Sequence, residues 1–297
     1  MVAVEAPFLF AIFAVQALAY ARVTEQKLQR RIDYYETRYL ARVEPGLVRV
    51  VNDFTRRASY AMGTCLVVTG SIATTVLVVT RNSHLQPGLY FPLSVALFLP
   101  AWSAYRLVAA GREFPLPAGS SVTARPRRVT PGDYVPAGVR ALLAVDLVVV
   151  TASAEVAVRD PDMSRLGEVP VLTAVAVLLA AGAAVPLITK ATCDRPQPAA
   201  DQCTLYFLDA WRAEALRSAY GAVGLAAVEL LAGVVVTSDR PALIGWGIAG
   251  AFAAMAIHAT VFRRSVLHFR RRLWPTLAPG QVLRPGEVAP AKAPVAA

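Results

Sequence analysis

Four ionisable side chains interrupt the long apolar runs of this 297-residue sequence: Asp146, Glu155, Glu229 and His258. A charge at the centre of a bilayer costs about 2.5–3.5 kcal/mol on insertion scales, so such residues are the usual candidates for proton or ion sites. At about 1.5 Å of helix rise per residue from the basic end of each run, Asp146 lies roughly 12 Å deep and Glu229 roughly 17 Å deep. The two depths predict a proton- or cation-coupled site built around this pair.

Structural hydrogen bonding is the alternative explanation for these residues. The carboxylates would then bond Thr or Ser on neighbouring helices, or Arg106 at the inner end of another run. Such contacts between membrane helices are common and small in energy, which favours this alternative. Glu155 follows Asp146 by nine residues, so it faces the opposite side of a helix, close to the outer surface.

The histidines and cysteines predict neither a cofactor nor a metal site. His84, His258 and His268 do not provide two axial ligands at one depth, as a membrane haem requires. Cys193 and Cys203 fall in a segment expected to be cytoplasmic, where thiols stay reduced. Two thiols alone are too few soft ligands for zinc, so we expect free thiols there.

The segment 245–250 matches the spacing of a dinucleotide-binding glycine loop by letter alone. It lies inside an apolar run with no preceding strand, so it lacks the structural context which that motif requires. Close helix packing is the better interpretation, because Gly247 and Ala251, and likewise Gly250 and Ala254, are four residues apart. The sequence contains no P-loop, HExxH or Gly-x-Ser-x-Gly pattern, and it predicts no particular reaction.

Composition points to a membrane protein. Hydrophobic residues make up 56% of the chain, charged residues 17%, and the mean hydropathy is +0.49. The net charge of +10 does not predict nucleic-acid binding, because the cations lie in the gaps between apolar runs, where topology and anionic headgroups account for them. The abundance of Ala, Val and Arg, with only three lysines, is typical of a bacterial protein from a GC-rich genome.

Seven apolar runs have about the length of a transmembrane helix, which needs roughly 20 residues. They cover 6–21, 59–80, 89–110, 138–158, 169–189, 218–236 and 242–262. Continuous rather than alternating apolar runs indicate helices. The predicted fold is an all-α, polytopic integral membrane bundle over residues 1–274, followed by a disordered Pro- and Ala-rich tail over 275–297.

The distribution of cations predicts the orientation of this bundle. The segments assigned to the inside carry 26 of the 30 lysines and arginines, and the outside turns carry four. Cations next to a span resist translocation. We therefore expect the N-terminus outside, the C-terminus in the cytoplasm, and the protein in the plasma membrane.

The basic segment 22–57 contains nine cations and five carboxylates, and it reads as two helices. Leu28, Ile32, Tyr35 and Tyr39 form an apolar stripe at helical spacing, largely free of cations. The stripe fits a helix that lies on the inner leaflet or docks a partner, and equally a helix that extends the first span and packs on other cytoplasmic loops. The arginines expected to meet lipid or a partner are Arg30, Arg31, Arg38 and Arg42, with Arg125, Arg127 and Arg128 from a later loop.

Three functional hypotheses follow. The first is a non-enzymatic membrane subunit or scaffold whose basic face binds anionic inner-leaflet lipid, a protein partner or a second copy of the chain. The second is a small secondary transporter that uses the intramembrane carboxylates. A membrane enzyme comes last, because no constellation of nucleophile, base or metal ligands is present in the sequence.

Overall fold

All the regular structure in the described part of the chain is helical. The computed structural model describes residues 2–79, 87–111, 128–159, 165–236, 241–285, 287 and 289. The helices are α1 (Val2–Ala21), α2 (Glu25–Arg38), α3 (Pro45–Val79), α4 (Pro87–Ala110), α5 (Pro131–Tyr134), α6 (Ala137–Arg159), α7 (Arg165–Asp194), α8 (Gln202–Val236), α9 (Pro241–Arg264) and α10 (His268–Leu273). Each predicted apolar run falls within one of these helices, apart from a residue at an edge.

Local sequence sets several helix boundaries. Proline is the first residue of α3, α4, α5 and α9, where its fixed φ suits the first turn and its missing N–H costs no hydrogen bond. Thr24 caps α2, because its Oγ1 accepts a hydrogen bond from the backbone N–H of Lys27. Helix α2 ends at Arg38 with Tyr39 as its C-cap, and the chain then turns at Leu40, a non-glycine residue with a positive φ of 55°.

The basic segment 22–57 differs from the prediction in its connections. Its first helix, α2, does not extend α1, because residues 22–24 separate them. Its second helix is the start of α3, which continues without a break into the next apolar run. The apolar stripe of α2 faces the protein interior, where Leu28, Tyr35 and Tyr39 are buried. The apolar stripe of α2 is therefore covered by the protein itself rather than by the inner leaflet.

Helix α8 is the centre of the bundle. It packs against α4, α6, α9 and α7, and every residue from 203 to 217 is buried. A helix that is surrounded needs no polar face, and the second half of α8 is accordingly apolar apart from Glu229. The 35 residues of α8 span about 52 Å, which exceeds a hydrocarbon core of about 30 Å.

Within the part of the chain that the structure describes, three helices are long and apolar enough to cross a membrane: α6, α7 from residue 171, and α8. Shorter apolar helical stretches occur at Ala11–Ala21 and Ser94–Ala110. Large apolar side chains on these helices point outward, among them Leu18, Val148 and Leu187, each about 70% exposed. An outward apolar surface of this kind suits lipid contact. Helix length and surface together indicate that the protein resides in a membrane.

Glycines allow several helix pairs to approach closely. A Cβ at Gly63 would lie 3.0 Å from the carbonyl oxygen of Ala17 on α1, and one at Gly221 would lie 2.9 Å from the ring of Phe262 on α9. At Gly247 a Cβ would lie 2.9 Å from the Cβ of Val235, whereas nothing lies within 4 Å at Gly250. Of the two predicted packing glycines, Gly247 contacts α8 closely and Gly250 is exposed, as are neighbouring positions of α9.

The segments assigned to the inside are four: 22–57, 106–140, 190–217 and the residues after 262. Residues from all four meet at one end of the bundle, formed by α2, α5, α10 and the first half of α8. We call this the polar end. Helices α3 and α8 both begin there, where Thr204 Oγ1 donates to Glu44 Oε2 over 3.4 Å. The tail after residue 274 also lies here, with Leu277 and Leu283 buried. Over its described residues this packing differs from the disorder expected for 275–297.

Candidate functional site

Glu214 is the focus of a buried charge cluster at the polar end. Its Oε2 accepts hydrogen bonds from Arg31 at 2.9 Å and from the Tyr35 hydroxyl at 3.1 Å. The same oxygen is also paired with Arg106. Burial alone would lower the pKa of Arg31, but the Glu214 carboxylate raises it above its ordinary value. One carboxylate thus ties α2 and α4 to the central helix.

The other charges on the buried half of α8 also bond residues far away in sequence. Asp209 accepts hydrogen bonds from the Tyr134 hydroxyl at 2.8 Å and from Trp274 Nε1 at 2.7 Å. Arg217 donates to the Tyr39 hydroxyl at 2.7 Å. Burial raises the pKa of Tyr39 well above its ordinary value, so this phenol stays neutral. Such bonds satisfy polar groups that would otherwise be costly to bury.

Arg270 orders the start of the tail. Its guanidinium donates to the Tyr206 hydroxyl at 2.9 Å and to the carbonyl oxygens of Ala278 and Gln281, each at 2.7 Å. Five N–H donors in a rigid fork allow one arginine to hold several acceptors. The tail is thereby folded back beside α10.

A groove with a volume of about 750 Å³ opens between the end of α2, the end of α9, α10 and the tail. We call it the arginine groove, since five arginines line it: Arg38, Arg263, Arg264, Arg270 and Arg271. No carboxylate is among its lining residues. The side chains of Trp274 and Leu277 form an apolar part of its wall.

Four of these arginines are exposed and form no ion pair or hydrogen bond through their side chains with the described residues: Arg38, Arg263, Arg264 and Arg271. Guanidinium groups match the geometry of phosphate and carboxylate oxygens and bind them bidentately. A concave surface with one sign of charge also focuses its field on an approaching counter-ion. The groove is therefore suited to an anion with several oxygens.

The intramembrane candidates are arranged differently from the predicted pair. Asp146 lies 3.0 Å from His258 Nε2, and both residues are buried. Gly224 lies against them, since a Cβ there would be 2.7 Å from His258 Nε2 and would overlap the Asp146 carboxylate. Glu229 is only partly buried, and Glu155 forms an ion pair with Arg159 one turn away.

The arginines predicted to meet lipid or a partner lie in different places. Arg38 lines the arginine groove, while Arg30 and Arg31 line a second cleft. Arg42 is exposed and Arg128 pairs with Asp194. Arg125 and Arg127 lie outside the described residues.

The cysteines are not bridged. Cys193 and Cys203 are both free and buried, and Cys203 Sγ contacts the carbonyl oxygen of Leu283 at 3.4 Å. Among the described residues, no group of three His, Cys, Asp or Glu side chains has the arrangement of a metal site.

Comparison with known proteins adds no relative: no family model, no curated protein and no solved structure matches this chain. The geometry described above is therefore the basis for inferring function.

Proposed function

We propose that this protein is a non-enzymatic, multi-pass membrane subunit whose polar end faces the cytoplasm and binds anionic phospholipid through the arginine groove. The observation that carries the proposal is a groove lined by four arginines that bond no described side chain, with no carboxylate among its described lining residues. In the proposed arrangement the chain crosses the plasma membrane seven times, with its N-terminus outside. Binding of anionic lipid at the inner leaflet fixes the depth and rotation of the bundle, on which a partner or a second copy then docks.

The meeting of the four basic segments supports this topology. Arg31, Tyr134 and Trp274 come from three different basic segments, and each bonds a residue of a fourth on α8. Arg31 bonds Glu214, and Tyr134 and Trp274 both bond Asp209. An arrangement of seven spans brings these segments to one side of the membrane. Their cations make that side the cytoplasmic one by the positive-inside rule.

The position of the groove supports a lipid ligand. Arg263 and Arg264 occupy the last turn of α9, directly after its apolar stretch. If α9 spans the bilayer, both guanidinium groups lie at the level of the phospholipid headgroups. The negative surface potential there favours each basic residue by about 1 kcal/mol.

Native mass spectrometry of the purified protein in neutral detergent tests this proposal. We expect phosphatidylglycerol to remain bound under conditions that remove phosphatidylcholine. In Arg263→Gln/Arg264→Gln, affinity for phosphatidylglycerol falls about 10-fold or more, since two headgroup contacts of about 1 kcal/mol each are lost.

The matched control is Arg49→Gln/Arg57→Gln, which removes the same charge from two exposed positions of α3. The control retains the affinity of the unchanged protein if the groove is the binding site. An equal loss in both double variants contradicts the proposal, because it indicates a response to net charge alone.

The buried contact between Asp146 and His258 favours a second candidate function, a proton-coupled transporter. A histidine in contact with a carboxylate can accept and pass on a proton, and both residues come from apolar runs. In proteoliposomes, a substrate-dependent proton flux that is present in the unchanged protein and absent in Asp146→Asn and in His258→Gln supports this function. Retention of the flux in either variant contradicts it.

A further inference from the structure

A second cleft opens between α1, α2, α3 and α4, with a volume of about 340 Å³. We call it the aromatic cleft. Its lining includes the cations Lys27, Arg30 and Arg106 and the rings of Tyr20, Phe54 and Trp102. It contains none of the residues that line the arginine groove.

Positive charge around this cleft exceeds negative charge. Four cations line it, and no carboxylate is among its lining residues. Glu214 lies behind the wall and is shared by Arg31 and Arg106 through a single oxygen. Two guanidinium groups on one carboxylate leave a net positive charge in a poorly solvated place, which is unfavourable unless an anion is close.

Arg106 provides a second, independent observation. Its side chain is 6% exposed, and its Nε has no hydrogen-bond partner among the described residues. A buried donor without an acceptor is rare in native proteins, since it loses its hydrogen bond to water without replacement. Arg106 lines the cleft, so a small shift of its side chain toward a bound anion would give this N–H an acceptor.

The walls of the cleft are aromatic. Trp102 stacks on Tyr105 with ring centroids 5.4 Å apart, and Phe54 lies edge-on to Trp211 at 4.3 Å. Met62 adds a flexible apolar side chain. A small inorganic anion would leave this apolar surface uncovered, so the ligand needs an apolar body as well as a charged head.

We propose that the aromatic cleft binds an alkyl phosphate, a phosphate monoester that carries an apolar chain. The phosphate meets Lys27, Arg30 and the free N–H of Arg106, and the chain covers Phe54, Met62 and Trp102. A phosphate monoester fits better than a carboxylate, because its two negative charges and three terminal oxygens match a site with several cations. This site does not depend on lipid binding in the arginine groove.

Thermal unfolding in a neutral maltoside detergent tests the proposal with three additives: dodecyl phosphate, inorganic phosphate and dodecylphosphocholine. The first carries both the dianionic head and the chain, the second only the anion, and the third the chain with a zwitterionic head. We expect saturating dodecyl phosphate to raise the unfolding midpoint by about 5 °C. The other two additives leave it within about 1 °C of the detergent control.

Variants locate the effect. Lys27→Gln/Arg30→Gln loses most of the ligand-induced shift, whereas Arg49→Gln/Arg57→Gln keeps it. Arg263→Gln/Arg264→Gln also keeps it, so failure of this proposal is distinguishable from failure of lipid binding in the arginine groove. Each shift is measured against the same variant without ligand, which removes any effect of the substitutions on stability itself.

Three results overturn the proposal. An equal shift with inorganic phosphate shows that no apolar body is recognised, and an equal shift with dodecylphosphocholine shows that no anion is recognised. A dodecyl phosphate shift that survives in Lys27→Gln/Arg30→Gln shows that the ligand binds elsewhere.

Discussion

At the scale of single residues, the buried half of α8 is unusual in combining charge with full burial. Arg212 and Glu214 have relative exposures of 3% and 6%, and Asp209 has none. Charged residues are almost never buried to this extent unless they are paired. Because the partners come from other elements, these bonds specify which segments may pack around α8.

Substitution of Glu214 by Gln tests how strongly the cluster depends on its single carboxylate. The variant leaves the buried Arg106 and the partly exposed Arg31 without a negative partner, so we expect a loss of about 3–5 kcal/mol in the free energy of unfolding. Thermal unfolding in detergent measures the loss. The exposed substitution Glu36→Gln is the control, and an equal effect of the two changes contradicts a special role for Glu214.

The buried phenols predict a dependence of stability on alkaline pH. Burial raises the pKa of Tyr35 and of Tyr39 in the folded state, whereas in the unfolded chain each titrates near its ordinary value of about 10. Ionisation therefore favours the unfolded state. The stability contributed by the neutral phenols is complete below about pH 10 and is lost as pH rises above it.

Spectrophotometric titration checks this prediction through tyrosinate absorbance. Below the unfolding transition, Tyr35→Phe/Tyr39→Phe shows the same tyrosinate absorbance as the unchanged protein, because these two phenols do not ionise while the protein is folded. A smaller absorbance in the variant at about pH 10–11 would mean that the phenols titrate in the native state.

At the scale of elements, the sequence predicts the apolar parts of the helices better than their polar ends. The run 218–236 marks the second half of α8, but the helix begins at Gln202. Asp209, Arg212 and Glu214 lie between two predicted runs and therefore read as loop residues in the sequence. Their bonding partners lie up to 183 residues away. No local pattern reveals such pairs. A cluster of opposite charges among large aromatic residues is the one signal that marks them.

The contact between Asp146 and His258 cannot be predicted from the depth of the residues alone. Counting residues along each run gives a depth for Asp146 but does not show that His258 lies against it. The contact depends on Gly224, because the absence of a Cβ at that position allows α8 to approach both side chains. Close approach of this kind is a property of two packed helices, so a single sequence does not encode it in a readable pattern.

Two glycines of α9 form a matched test of helix packing. Gly247→Ala places a methyl group 2.9 Å from the Cβ of Val235, so we expect destabilisation of about 1–3 kcal/mol. Gly250→Ala meets nothing within 4 Å, and it should be neutral or stabilising by up to about 1 kcal/mol. Thermal unfolding of both variants measures the difference. Equal effects would contradict the close contact between α8 and α9.

At the scale of the whole molecule, the arginine groove and the aromatic cleft lie at the polar end, and the apolar surface surrounds the rest of the bundle. The proposed topology accounts for both features, since it puts the arginine groove and the aromatic cleft at the cytoplasmic headgroups and the apolar surface in lipid. Composition and runs of apolar residues predict the helical membrane class. The arginine groove depends on contacts between α2, α9, α10 and the tail, and the aromatic cleft on contacts between α1, α2, α3 and α4. The sequence does not disclose these contacts.

Reporter fusions test the proposed orientation. A reporter that is active only in the cytoplasm should work when it is fused after Pro275, and one that is active only outside should work when it is inserted at Asp162. The expectation rests on the unequal division of cations between the two sides. Opposite results at both positions would reverse the topology and remove the arginine groove from the inner leaflet.

The cluster around Glu214 also has a consequence for how the chain is made. During synthesis, Arg31 and Arg106 leave the ribosome 183 and 108 residues before the carboxylate that both of them bind. Until Glu214 follows, the early helices contain two guanidinium groups without their partner, and they cannot reach their final packing. Completion of the N-terminal half must therefore wait for α8, and a nascent chain that stops before it should be recognised by quality control and degraded.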